Sequence, residues 1–189
     1  MVSTPLGSSD ALIVVDVQND FCPGGALAVT GGDEVVPVLN AWIEAATQGG
    51  ALIVASRDWH PADHCSFRER GGPWPRHCAQ QTHGAEFHPN LKLPPGARIV
   101  SKGTRTDEEA YSAFQGTELA SELKRGGVAR VWIGGLALDY CVRATALDAL
   151  AAGFETHVIA DATRAVNVHA GDDERALAEL AAAGCIIEK

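Results

Sequence analysis

The sequence predicts an α/β fold: a doubly wound, six-stranded, mostly parallel sheet with helices on both faces, in three α/β/α layers. Three observations lead there. Short branched apolar runs alternate with longer stretches of helical periodicity along the 189 residues. Several of these runs are apolar at successive positions, as strands buried on both faces require. Glycines stand where helices turn back into strands, at Gly49-Gly50, Gly126-Gly127, Gly153 and Gly184, places where a left-handed C-cap favours that residue.

The elements follow in order. "ALIVVDV" at 11–17 reads as the first strand, and 33–48, with apolar residues at three- and four-residue spacing, as the first helix. "ALIVAS" at 51–56 is the second strand. Residues 57–96 are rich in Pro, Gly and His and only weakly periodic; an irregular segment of that length inside a compact domain is usually functional or mobile. "ARIVS" at 97–101, a helix at 116–125, "ARVWIGG" at 129–135, a helix at 141–152, "ETHVIA" at 155–160, a helix at 172–183 and "CII" at 185–187 complete the βα alternation. With no internal repeat, low-complexity tract or linker, residues 1–189 read as one domain with an irregular insertion at about 57–96.

Composition narrows the function classes. A net charge of −9 without a Lys/Arg cluster offers nothing to attract phosphate backbones or anionic lipid, so neither nucleic acid nor membrane is an expected partner. Met1 to Asp10 is short and polar, unlike a secretory leader, and a cytoplasmic location is expected. Cys22, Cys65, Cys78, Cys141 and Cys185 cannot all pair, and their spacing fits no disulfide framework, so free thiols are expected. Alanine-rich helices such as 172–183 pack within monomers as readily as between them, which leaves a homo-oligomer open.

In open α/β sheets ligands bind beyond the carboxyl ends of the strands. The first strand runs into Asp16, the second into Asp58 and His60, the third into Lys102, and the fourth into the loop leading to Cys141. At a helix start, dipole and free N–H groups are expected to lower the thiol pKa of Cys141 from about 8.5 and to offer donors for an oxyanion. Taken alone, Cys141 reads as a small buried core residue and Lys102 as a solvated strand end, and Asp16 could as well be a turn acid. Together they are complementary: an aspartate can take the thiol proton and return it to a leaving amine, while a lysine steadies the charges.

The irregular segment adds "RDWHPADHCSF" and "PWPRHC". In extended chain Asp58 and His60 point the same way, and His77 could close a set of one carboxylate and two imidazoles, with His64 a fourth ligand or a neighbour. Zinc, iron and manganese all accept such a set, so these residues do not choose among them; zinc is the expected ion, with iron or manganese as alternatives. A structural zinc site built from His60, His64, Cys65, His77 and Cys78 competes with this reading, although no CxxC knuckle supports it.

The runs "ALIVVDVQNDFCPGGALAVTGGDEVVPVLN", "SRDWHPADHCSF", "WPRHCAQQTHGAEFHP", "SKGTRTDEEAYSAF" and "GGLALDYCVRATALDA" strongly resemble bacterial nicotinamidases of the isochorismatase-like hydrolase superfamily. The match runs in order from about residue 11 to about residue 165. The resemblance implies hydrolysis of nicotinamide, and of analogues such as pyrazinamide, to the acid and ammonia through a cysteine thioester, in NAD salvage. It makes Cys141 the nucleophile, Asp16 the general acid/base and Lys102 the third member of a triad. It makes Asp58, His60 and His77 ligands of one divalent ion that holds the pyridine nitrogen, with His64 close by and in some members a ligand. It also implies a cis peptide at Leu136–Ala137, an oxyanion hole from the N–H groups of Ala137 and Cys141, and Phe21 and Trp74 flanking the ring, with Tyr111 in the same pocket.

Three positions depart from that pattern. Leu138 stands where many members carry threonine, Gln81 where a glycine is expected, and His83 at a variable position that is often proline; His83 also adds a stray candidate ligand. None belongs to the triad or the ligand set. Two alternatives stay open: a related amidase acting on a carbamoyl or ureido substrate, and a catalytically silent metal-binding protein of the same fold.

Overall fold

A computed structural model describes residues 6–189. Strand β1 (Asp10–Val15) is buried at every position and lies between β2 (Leu52–Asp58) and β4 (Arg130–Leu136). Beyond them lie β3 (Arg98–Lys102) on one side and β5 (Glu155–Arg164) and β6 (Ile186–Glu188) on the other. The six strands run in the order β3-β2-β1-β4-β5-β6, and every pairing is parallel.

Alternation along β1 sorts the helices into two layers. Leu12 and Val14 face a cluster with Leu39, Trp42, Ile43 and Ala46 of α1 (Val35–Gly49). Ala11, Ile13 and Val15 face the opposite cluster. That second layer is built by Leu119 and Leu123 of α2 (Leu119–Arg125), Ala146 and Ala149 of α3 (Arg143–Ala151), and Ala176 and Leu180 of α4 (Asp172–Ala183). Strand order reverses between β1 and β4, and a crevice opens at the carboxyl ends of that pair, where ligands bind in sheets of this kind.

Gly135 shows how tightly this crevice is closed from below: a Cβ there would stand 2.0 Å from the Val15 carbonyl oxygen, and its φ of +132° is open to glycine alone. Strand β5 is longer than its sequence suggests. A shift in its pairing with β4, between Ile133 and Gly135, carries it on through the polar "DATR", where Ala162 packs against bare Gly134. The expected helix at 116–125 begins only at Leu119. The expected helix at 141–152 is preceded by a π-helical turn over Leu138–Val142.

Residues 59–96 are irregular, with short 3-10 turns at Arg68–Arg70 and His83–Ala85, while Arg57 and Asp58, expected to open that segment, complete β2 by pairing with Ser101 and Lys102. Gln81 lies in this segment, exposed and at a φ of 63°. Left-handed backbone costs a residue with a Cβ about 1–2 kcal/mol, of which glycine's larger folding entropy returns part. Gln81→Gly is therefore expected to stabilise the fold by about 0.5 kcal/mol, read as a higher urea midpoint at unchanged slope; a lower midpoint would show that Gln81 makes a compensating contact.

Candidate active site

Asp16 follows β1 directly and turns the chain at a φ of 48°, a conformation that aspartate tolerates better than most residues. Its N–H donates to the Ser56 carbonyl at 3.2 Å, and Gln18 N–H donates back to the Asp16 carbonyl at 2.8 Å. The carboxylate is thereby aimed into the crevice, where Ser56 Oγ donates to Oδ1 at 2.7 Å. Lys102, the last residue of β3, brings Nζ to 2.8 Å from Asp16 Oδ2, 2.5 Å from Asp58 Oδ1, 3.2 Å from the Ala110 carbonyl and 3.4 Å from Cys141 Sγ. Asp16 Oδ2 is ion-paired to this ammonium and has no further partner among the described residues, so one of its lone pairs stays available. Oxygens of Asp16 and Asp58 and the sulfur of Cys141 all lie within 4.8 Å of one another. None of the four residues is more than 5% exposed.

Burial sets the protonation states. It pushes the Asp16 carboxyl above its usual range, with Lys102 opposing and Asp58 adding to the rise. For Asp58 burial acts the same way, but Lys102 and the two nearby imidazoles win and hold it below the usual range. Lys102 is held well above an ordinary lysine, because the two carboxylates outweigh its own desolvation. For Cys141 the outcome is opposite to the lowering expected from a helix start. Burial, helped by Asp16 and Asp58, outweighs Lys102 and holds the thiol well above the ordinary value. The resting sulfur carries its proton, and attack requires a base beside it.

The second group of side chains is assembled by backbone pairing across the irregular segment. His60 N–H donates to the Cys78 carbonyl at 3.0 Å and Gln80 N–H to the His60 carbonyl at 2.8 Å, which brings His77 alongside. Nδ1 of His60 donates to the Gly103 carbonyl at 2.9 Å and Nδ1 of His77 to the Pro75 carbonyl at 2.8 Å. Both Nε2 atoms face Asp58 Oδ2, at 3.5 and 3.9 Å, and carry lone pairs whenever the rings are neutral. In their neutral forms the two imidazoles and the Asp58 carboxylate make a set that could hold a cation, with the two backbone carbonyls as the outer partners that would fix a ligating tautomer. A Cβ on Gly103 would stand 2.5 Å from the His60 ring, so only glycine lets this imidazole seat.

His64 lies outside that convergence. It stacks on His60 at 4.0 Å between ring centroids, with Nδ1 at 2.7 Å from Ser66 Oγ and Nε2 at 3.1 Å from the Glu108 carbonyl; with His60 and Glu109 it forms a second, adjoining cluster. Among the described residues no such cluster contains Cys65 or Cys78, so the alternative zinc site has no geometry to support it. His83 is on the surface beside Glu86, and Leu138 is buried in the apolar layer under Cys141.

Between the two groups a narrow cleft is lined by Phe21, Asp58, Trp74, His77, Ala137 and Cys141, with Leu27, Tyr111, Tyr140 and Val166 completing its walls. Trp74 Nε1 donates to the Tyr111 hydroxyl at 3.1 Å, and the Trp74 ring meets Tyr140 edge-on at 5.0 Å. Tyr111 is thus a wall residue rather than core filling. The Leu136–Ala137 peptide is cis.

Sequence reading did not single out Ser56, Gln18 or Tyr140. Gln18 is fully buried; its amide donates to the Asp58 and Ala85 carbonyls and accepts from Asp58 N–H, all within 2.9 Å. A buried glutamine directly after a strand was the available signal, since such an amide must be paired.

Residues 10–188 match the isochorismatase domain. The chain belongs to the isochorismatase family. Among isochorismatase-family relatives, the nicotinamidase of Escherichia coli strain K12 is 40% identical, over 94% of this chain and 93% of the relative. The pyrazinamidase of Pyrococcus horikoshii, solved in complex with zinc, superposes with a TM-score of 0.92 at 55% identity, covering 96% of this chain and 99% of that one. A protein from L. infantum solved in complex with nicotinate gives 0.89 at 37% identity, covering 98% and 96%.

Proposed function

We propose that this protein hydrolyses nicotinamide to nicotinate and ammonia through a thioester on Cys141, and pyrazinamide by the same route, as a step of NAD salvage in the cytoplasm. One observation carries the reading: a single buried ammonium, Lys102 Nζ, touches a thiol, the carboxylate beside it and the carboxylate of the cation site at once. The names of the relatives support the substrate, and the aromatic walls fit a flat heterocycle.

Asp58, His60 and His77 would hold one divalent ion, zinc by likeness to the zinc-bound relative. When bound, it supplies a Lewis-acidic position for the pyridine nitrogen. The rest is done by the chain. Phe21 and Trp74 confine the ring so that the amide carbon faces the thiol. Asp16 accepts the Cys141 proton on the free lone pair of Oδ2 as sulfur attacks the amide carbon. The N–H groups of Ala137 and Cys141 receive the tetrahedral oxyanion. Asp16 then passes its proton to the leaving nitrogen and ammonia departs, leaving the thioester. Asp16 next takes a proton from water, hydroxide adds to the thioester carbon, and the sulfur leaves as thiolate and recovers the proton from Asp16. Lys102 stays protonated throughout and offsets the charge that moves between oxygen and sulfur.

The test is ammonia release from nicotinamide by purified, metal-loaded protein. Turnover is expected, and chelation should lower it at least about tenfold, with recovery on adding zinc back. Silence on nicotinamide with metal present would overturn the substrate and turn attention to carbamoyl and ureido amides.

A further inference from the structure

Asp139, two residues before the nucleophile, has no part in the chemistry above, yet its carboxylate is fully engaged. Oδ1 accepts from Val166 N–H and Oδ2 from Asn167 N–H, each at 2.9 Å. Among the described residues, these two N–H groups find no other acceptor. Both lie past the last residue of β5, where the chain has left the sheet, and Asn167 holds a φ of 53°. Val166 forms part of the cleft wall facing Cys141. Next to it, Asn167 Oδ1 accepts from Asp173 N–H at 2.9 Å, which links the same loop to the first turn of α4. One half-buried carboxylate thus fastens this wall of the cleft to the turn that carries the thiol.

We propose that Asp139 is a positioning residue for substrate, latching the Val166–Asn167 wall against the cleft so that the ring is gripped opposite Phe21 and Trp74. This rests on the nicotinamide reading for its substrate and on the structure alone for the latch. Only a carboxylate presents two acceptors to two parallel N–H groups; an amide of the same shape presents one acceptor and turns its NH₂ toward the second donor.

The latch is tested with Asp139→Asn, Val166→Ala and the double variant, each assayed well below the midpoint of its own cooperative thermal transition. Loss of one charge-assisted bond and repulsion at the other should raise KM for nicotinamide about ten- to a hundredfold, with kcat within about threefold. Iodoacetamide labelling of the Cys141 peptide should become several times faster as the wall opens. Because Asp139 acts through Val166, the double variant should show a KM no higher than Asp139→Asn alone. A fall in kcat at constant KM, additive effects in the double variant, or unchanged labelling would each overturn the latch. If the wild type does not turn over nicotinamide, the labelling rates still decide the latch, and only the substrate is lost.

Discussion

Cys141→Ala is expected to reduce ammonia release from nicotinamide by about four orders of magnitude or more, while costing the fold only about 1 kcal/mol. The first half follows from the geometry of the cleft: among the described residues, Cys141 carries the thiol or hydroxyl that Lys102 contacts, and its sulfur lies beside the Asp16 carboxylate. The second follows from what the sulfur leaves behind. Lys102 keeps Asp16, Asp58 and the Ala110 carbonyl as partners, so no buried charge is orphaned. Cys141→Ser should be almost as inactive, because Asp16 can draw a proton from a thiol far more readily than from an alcohol. Ammonia assays with matched urea unfolding check both halves; a residual rate near one hundredth of wild type would remove Cys141 from the nucleophile's role.

Much of this site was legible because strand ends are legible. Apolar runs that stop at Asp16, Asp58 and Lys102 mark where a parallel sheet ends, and strand order then gathers those ends without further information. What periodicity could not supply was the assembly of the irregular segment, where His60 and His77 meet through two backbone bonds that leave no mark in local sequence. The thiol's protonation state was hidden for a different reason. A helix-start argument weighs only local backbone, whereas the controlling quantity is burial together with two carboxylates, one just past β1 and one at the end of β2, distant in sequence. The continuation of β5 through "DATR" was likewise masked, because polar residues there are accommodated by a shifted pairing and a bare glycine on the neighbouring strand.

Lys102→Met is expected to be the most disruptive single change, since it removes the cation that pairs with two buried carboxylates while keeping the volume. Breaking a buried ion pair in this way costs about 3–5 kcal/mol at neutral pH, and turnover should fall below detection because Asp16 and Asp58 then repel the forming thiolate. The loss carries a pH signature. In the wild type, Asp58 is held below its usual range, so its contribution is present above the unfolded value near pH 4 and is lost as pH falls toward its folded value. Without Lys102, burial raises both carboxyls above about 4, the folded state binds more protons than the unfolded one, and stability declines as pH rises. The deficit of metal-free Lys102→Met against metal-free wild type should therefore be largest near pH 8 and shrink toward pH 4.5 in urea unfolding. Zinc supplies a replacement charge to Asp58 alone, so it should recover part of the stability and none of the turnover. A deficit independent of pH would mean that the two carboxylates do not carry their charges against this lysine, and the proposed division of labour between Asp16 and Asp58 would fall with it.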